Sequence, residues 1–180
     1  MRLAALNALD EDAAAAEFLR CCGSTGWARQ MAAARPFADA GAMAVAGDVL
    51  WSALPPSDWL EAFAAHPRIG HAGAGRAGGA DGSDGLGGAG WSDEEQAGVA
   101  VAAEAMLRRL AEANRDYEAR FGYIFIVCAT GKTAGEMLAL LEARLRHDPG
   151  EELRIAAEEQ RQITRLRLNK LIGQQPETNV

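Results

Sequence analysis

The chain has 180 residues, of which 49% are hydrophobic and only 6% aromatic, and its formal net charge is −7. That length suffices for one domain with a real core, and the alanine-rich apolar fraction favours helices over a sandwich filled by large side chains. An acidic chain repels phosphate backbones, so no nucleic acid partner is expected, and no apolar run reaches the roughly 18 residues that a membrane helix needs.

In chain order, Asp10 is suited to cap a helix over 11–22, with Glu11 and Asp12 in its first turn and Gly23 at its end. Ser24 begins a short helix that stops before Pro36. A third helix runs from Asp39 to Leu54 and is closed by Pro55-Pro56. Ser57 is expected to cap the next, Asp58 to Ala65, whose apolar side carries Trp59, Leu60 and Phe63. His66 ends it, because a residue before proline is pushed out of the helical region.

The stretch from Gly70 to Gly90 is dominated by Gly, Ala, Asp and Ser, which cannot offset their ordering entropy by burial, so a mobile surface loop is expected there. Ser92 to about Arg120 forms a long helix with Val99, Ala103, Met106, Leu110 and Ala113 on one side. Phe121-Gly122-Tyr123 breaks it, and about 123–129 is the one extended, strand-like segment. Helices over Thr133–Arg146 and Pro149–Ile172 follow, and 173–180 is a frayed tail. The expected fold is all-α, a single compact multi-helix domain spanning 1–180.

Cys21, Cys22 and Cys128 form no Cys-x-x-Cys pair, which points to a reducing compartment. The early acidic residues leave no secretory apolar region, and Thr178-Asn179-Val180 is no peroxisomal signal, so the cytoplasm is expected.

Three positions carry candidate chemistry, and each also has a plain structural reading. His66 sits at the negative end of a helix dipole, which favours its protonated form and suits it to acid–base work; it also fits a simple turn histidine. Ser92-x-x-Glu95-Gln96 has the spacing of a capping box, yet a helix start with Ser, Glu and Gln also fits a polar or anionic ligand. Arg167 falls inside the apolar arc of the last helix, whereas Arg154, Arg161 and Arg165 fall opposite with Glu158. An inward arginine needs a partner, either a structural carboxylate or a substrate carboxylate held bidentately.

Other chemistries lack their parts. Gly131-Lys132-Thr133 resembles the end of a phosphate loop, but Ile126 stands where its first glycine belongs. His66, His71 and His147 lack the paired spacing of a zinc site, and no Gly-x-Ser-x-Gly elbow exists. No metal is expected.

Together these segments resemble a known family. His66-Pro67-Arg68-Ile69-Gly70, Ser92-x-x-Glu95-Gln96, the run from Tyr117 through Phe121-Gly122-Tyr123 to Lys132, and Ile163-x-x-Leu166-Arg167-Leu168 occur in the order found in OHCU decarboxylases. Those enzymes act on 2-oxo-4-hydroxy-4-carboxy-5-ureidoimidazoline between urate and allantoin. The resemblance implies a cofactor-independent, homodimeric lyase. His66 then corresponds to the catalytic histidine, with Pro67 beside it. Ser92, Glu95 and Gln96 correspond to substrate-binding residues, Glu95 also lying near the chemistry. The backbone of Phe125, Ile126 and Val127 corresponds to the part that binds the ureide, and Arg167 to the arginine that holds the substrate. Two departures stand out: a long glycine-rich loop, and Gln162 where a lysine is common. The competing readings are a non-catalytic helical ligand-binding or interaction protein, and a phosphotransferase that ATP binding would reveal.

Overall fold

The computed structural model describes residues 1–67 and 93–173, with the side chains of 93–103 excepted. The expected glycine-rich loop, Ser92 and the residues after Gly173 lie outside the described residues. Eight helices are described: α1 Leu3–Asn7, α2 Glu11–Cys22, α3 Thr25–Ala33, α4 Ala40–Ser52, α5 Pro56–Ala64, α6 Asp93–Phe121, α7 Ala134–Arg144 and α8 Pro149–Leu171. No strand occurs among the described residues, so the fold is all-α. The strand-like run over 124–129 is non-helical but pairs in no sheet.

Local capping explains most helix starts. Asp10 accepts from the Ala13 amide at 2.7 Å, and Asp39 from that of Ala42 at 2.7 Å. Ser24 accepts from Trp27, and Thr133 with Glu136 closes a full capping box. The start of α5 differs from expectation. Pro55 is its N-cap and Pro56 its first residue, because proline's missing N–H costs nothing there. Ser57 therefore lies inside the first turn and its hydroxyl meets Asp58 instead. The helix also ends at Ala64, two residues before His66. The short helix α1, not expected, has no side-chain cap; buried Leu6 and a reciprocal Asn7–Phe37 pairing hold it.

The chain forms two compact units. The first comprises Met1–His66, Ile126–Cys128 and Asp148–Val180, hence α1–α5 and α8. Its core holds Phe18, Trp27, Met31, Met43, Trp51, Phe63 and Leu168. Two indole N–H groups bind helix carbonyls there: Trp27 donates to Gly47 at 3.0 Å, and Trp51 to Ala157 at 2.9 Å, which ties α4 to α8. On the polar side Arg161 and Arg165 both reach Asp48, at 2.7 and 3.6 Å, as the outer-face assignment of those arginines requires.

The second unit comprises Pro67–Phe125 and Ala129–His147. Helices α6 and α7 pack through Leu110, Ala113, Leu138 and Leu141. Tyr117, Phe121, Tyr123 and Phe125 form an aromatic cluster, and the buried Arg144 guanidinium lies 4.7 Å from the Phe125 ring centroid.

Gly23 does two jobs. It ends α2 in the left-handed conformation, φ 85°, with its amide on Leu19 O at 2.8 Å. It also lets α5 come close, since a Cβ at this position would sit 2.6 Å from Ala65 Cβ. Gly23→Ala is therefore expected to cost at least the ~1–2 kcal/mol of a left-handed non-glycine residue. A urea unfolding midpoint equal to wild type would contradict this.

Candidate active site

His66 follows the last turn of α5, with its backbone amide on Phe63 O at 3.1 Å. The side chain is largely buried, and Nε2 is fully buried without a hydrogen-bond partner. Burial and then the nearby positive charge of Arg167 push its pKa down to about 4 from 6.5, with the Gln160 side chain opposing them. This corrects the expectation that the helix end would favour imidazolium. At neutral pH the ring is neutral, able to accept a proton.

Arg167, on α8, is half-buried and turned inward as its periodicity predicts. Its described partner is neither of the carboxylates considered. Nη1 donates to Cys21 O at 3.2 Å, a main-chain carbonyl at the end of α2. A helix's last carbonyls lack intrahelical donors, so they are ready acceptors at the negative end of the dipole. Because a carbonyl carries no net charge, the guanidinium keeps its full charge and further donors for an anion.

One residue with no place in the sequence reading belongs here. Gln160, also on α8, is 0% exposed. Its Nε2 donates to Cys22 O at 3.3 Å and to Thr164 Oγ1 at 3.2 Å, while Oε1 has no partner. A signal did exist: Gln160 precedes Arg167 by seven positions, which at about 100° per residue places both on one helical face. The thiols of Cys21 and Cys22 are pushed up to about 11 chiefly by burial, so neither is a ready nucleophile.

The structure thus brings together His66, Arg167 and Gln160 within the first unit. Ile126 and Val127 are buried in that same unit. The next amide, of Cys128, is not free for a ligand: it donates to Glu159 Oε2 at 2.6 Å. Phe125 is buried in the second unit beneath Arg144, and Pro67 is exposed. Glu95 and Gln96 lie in the first turn of α6, their side chains outside the description, and Ser92 is outside it altogether. The capping-box reading of Ser92 and Glu95 therefore lies outside the described residues.

Fold and site define an all-helical protein with a buried neutral imidazole beside a guanidinium that no carboxylate pairs among the described residues. The chain belongs to the OHCU decarboxylase family, whose sequence profile matches residues 7–169. It is 38% identical over 157 residues to the uric acid degradation bifunctional protein TTL of Arabidopsis thaliana, covering 87% of this chain and 47% of that one. It is 34% identical over 80 residues to the 2-oxo-4-hydroxy-4-carboxy-5-ureidoimidazoline decarboxylase of Amia calva, covering 44% and 46%. The chain spans about half the length of these curated relatives in its matches. A crystal structure of OHCU decarboxylase in the presence of (S)-allantoin is similar with a TM-score of 0.67 and 36% identity, covering 87% of this chain and 96% of that one.

The depressed pKa has a consequence for stability. As pH falls below about 6.5 the unfolded chain binds a proton at His66 that the folded chain refuses until about pH 4, so the contribution is complete above 6.5 and is lost between the two. His66→Gln removes that loss. Between pH 7 and 4.5, wild type should lose about 2–3 kcal/mol more unfolding free energy than the variant. Parallel urea titrations at the two pH values would show otherwise if the losses were equal.

Proposed function

We propose that the chain is a cofactor-independent decarboxylase converting 2-oxo-4-hydroxy-4-carboxy-5-ureidoimidazoline to (S)-allantoin. The observation that carries this reading is the buried, neutral His66 beside a charged Arg167 in a chain of this family. The substrate supplies its own electron sink, because its ring C=N is conjugated with the reacting carbon. The protein's tasks are then to orient the ring, exclude water and move protons.

On this reading Arg167 holds the substrate carboxylate, and that negative charge offsets the guanidinium which depresses His66. The imidazole becomes more basic and takes the substrate hydroxyl proton, with Glu95 sharing the proton network. The carbon–carboxylate bond breaks, CO₂ leaves, and the electron pair passes into the ring C=N, whose nitrogen takes a solvent proton. The hydroxyl carbon becomes the product carbonyl, and His66 returns its proton to one face of the neighbouring carbon. Ser92, Gln96, Pro67 and the backbone of Phe125, Ile126 and Val127 fix the ring and ureide.

Residues 1–180 act as one catalytic domain. The protein works in the cytoplasm as a homodimer, with neither nucleic acid nor membrane as partner. Cys21, Cys22 and Cys128 form no disulfide, which supports a reducing compartment, and no described helix is long and apolar enough to cross a membrane. Val45 and Val49, exposed one turn apart on α4, support a self-association face. Light scattering at the mass of one chain would remove the dimer.

The substrate is best generated from urate in situ while product chirality is followed. Wild type should give (S)-allantoin well above the spontaneous rate; racemic product at that rate would sink the activity. His66→Ala should stay folded by circular dichroism yet lose about 10²–10⁴ of the catalysed rate. Arg167→Gln should chiefly raise KM, because it removes the charge-assisted hold on the carboxylate.

A further inference from the structure

The most telling atoms outside the roles already assigned are two buried polar atoms without partners, His66 Nε2 and Gln160 Oε1. Buried polar atoms are nearly always satisfied, so each such atom calls for an explanation. These two are chemically complementary. The Gln160 amide cannot be turned around without loss: Cys22 O only accepts, so the NH₂ group must face it. Thr164 Oγ1 takes a second bond from the same nitrogen. The oxygen is therefore the group Gln160 has left to offer, and an amide oxygen only accepts.

We infer that Gln160 is the positioning residue of His66: its fixed Oε1 holds the ring proton on Nε2 and leaves the Nδ1 lone pair as the proton acceptor. A neutral imidazole has one N–H and one lone pair, and which nitrogen carries which is set by the neighbour of the other. The Gln160 side chain faces the imidazole and favours its protonated form, the sign expected of an acceptor. The other groups bearing on the ring are Arg167 of α8, which disfavours that form, and the burial supplied around the end of α5. The assignment also gives the C-terminal carbonyls of α2 a joint purpose. Cys21 O holds the arginine and Cys22 O holds the glutamine that orients the base.

The kinetic part of this inference rests on the proposed decarboxylation, but its primary test does not. Nitrogen-15 NMR of imidazole-labelled wild-type protein should show His66 as the Nε2–H tautomer at neutral pH; the Nδ1–H tautomer would overturn the assignment. In Gln160→Leu, the tautomer preference should fall towards a mixture. In Gln160→Glu, the added carboxylate should raise the His66 titration midpoint by about one unit or more. Unchanged tautomer and titration in both variants would reduce Gln160 to a packing residue and overturn the inference.

Loss of the group that orients a metal-bound imidazole from behind typically costs about 10–100-fold in activity, and the same scale is expected for an oriented base. Gln160→Leu should therefore lower kcat by that factor with KM little changed, and the acid limb of the rate should move up in Gln160→Glu. A kcat loss without any tautomer or titration change also counts against the inference. The wild-type spectrum decides the tautomer even if a variant fails to fold. If the wild-type protein decarboxylates nothing, the proposed activity falls while the spectrum still decides the role of Gln160.

Discussion

The site rests on one helix end. Helix α2 stops at Cys22, and Gly23 turns the chain with its amide on Leu19 O, leaving the carbonyls of Cys21 and Cys22 to find donors elsewhere. They find them on α8, in Arg167 and Gln160. An inward arginine usually has its charge cancelled by a carboxylate, since an unpaired buried charge is costly. A helix-terminal carbonyl does something different: it satisfies an N–H and supplies partial negative charge, but it leaves the net positive charge in place. Half-burial keeps the solvation cost bearable, and the charge remains available to an incoming anion. The cysteine thiols, neutral because burial pushes them up to about 11, add no charge that would spoil this.

Magnitudes decide the state of His66. A helix C-terminus favours a cation by about 0.3–1 kcal/mol at an exposed site. The fall in pKa from 6.5 to about 4 corresponds to about 3 kcal/mol in the other direction. Burial and the Arg167 charge therefore outweigh the dipole. The dipole was visible in the sequence as a position after a helix; the burial was not, because it depends on which surfaces α5, α2 and α8 bury against one another. That is why sequence reasoning singled out His66 yet expected the wrong charge on it.

The same division between local and distant causes runs through the fold. The cap at Asp10 and the helix starts at Ser24, Asp39 and Thr133 were legible because each is settled within three residues of sequence. The inward turn of Arg167 was legible from periodicity alone. Helix α1 was not, since five residues without a cap depend on Phe37, thirty positions away. Ser57 misled because it has a capping side chain, while Pro55-Pro56 could be read equally as a stop or a start. The run Tyr123–Cys128 has strand-like composition, yet in an all-helical fold it finds no ladder, and a side chain, Glu159, serves its last amide. Gln160 escaped notice because a neutral amide on an apolar face raises no charge problem. Motif order revealed the family without the geometry, and Ser92 and the side chains of Glu95 and Gln96 still rest on that order.

The pairing of a base with an uncancelled cation also suits a reaction that destroys its own anion. On the proposed reaction, while the substrate carboxylate sits at Arg167 the guanidinium charge is offset and His66 is more basic, so a proton moves onto it. When the carbon–carbon bond breaks, the carboxylate becomes neutral CO₂ and leaves. Arg167 then acts on His66 at full strength again, and the protonated ring becomes the stronger acid just as the neighbouring carbon needs a proton. A carboxylate fixed permanently to Arg167 would hold the histidine at one basicity throughout and remove this alternation. On the proposed reaction, the carbonyl-held arginine is thus more than an anchor: its charge, counted before and after CO₂ departs, drives the histidine first to take a proton and then to give it back.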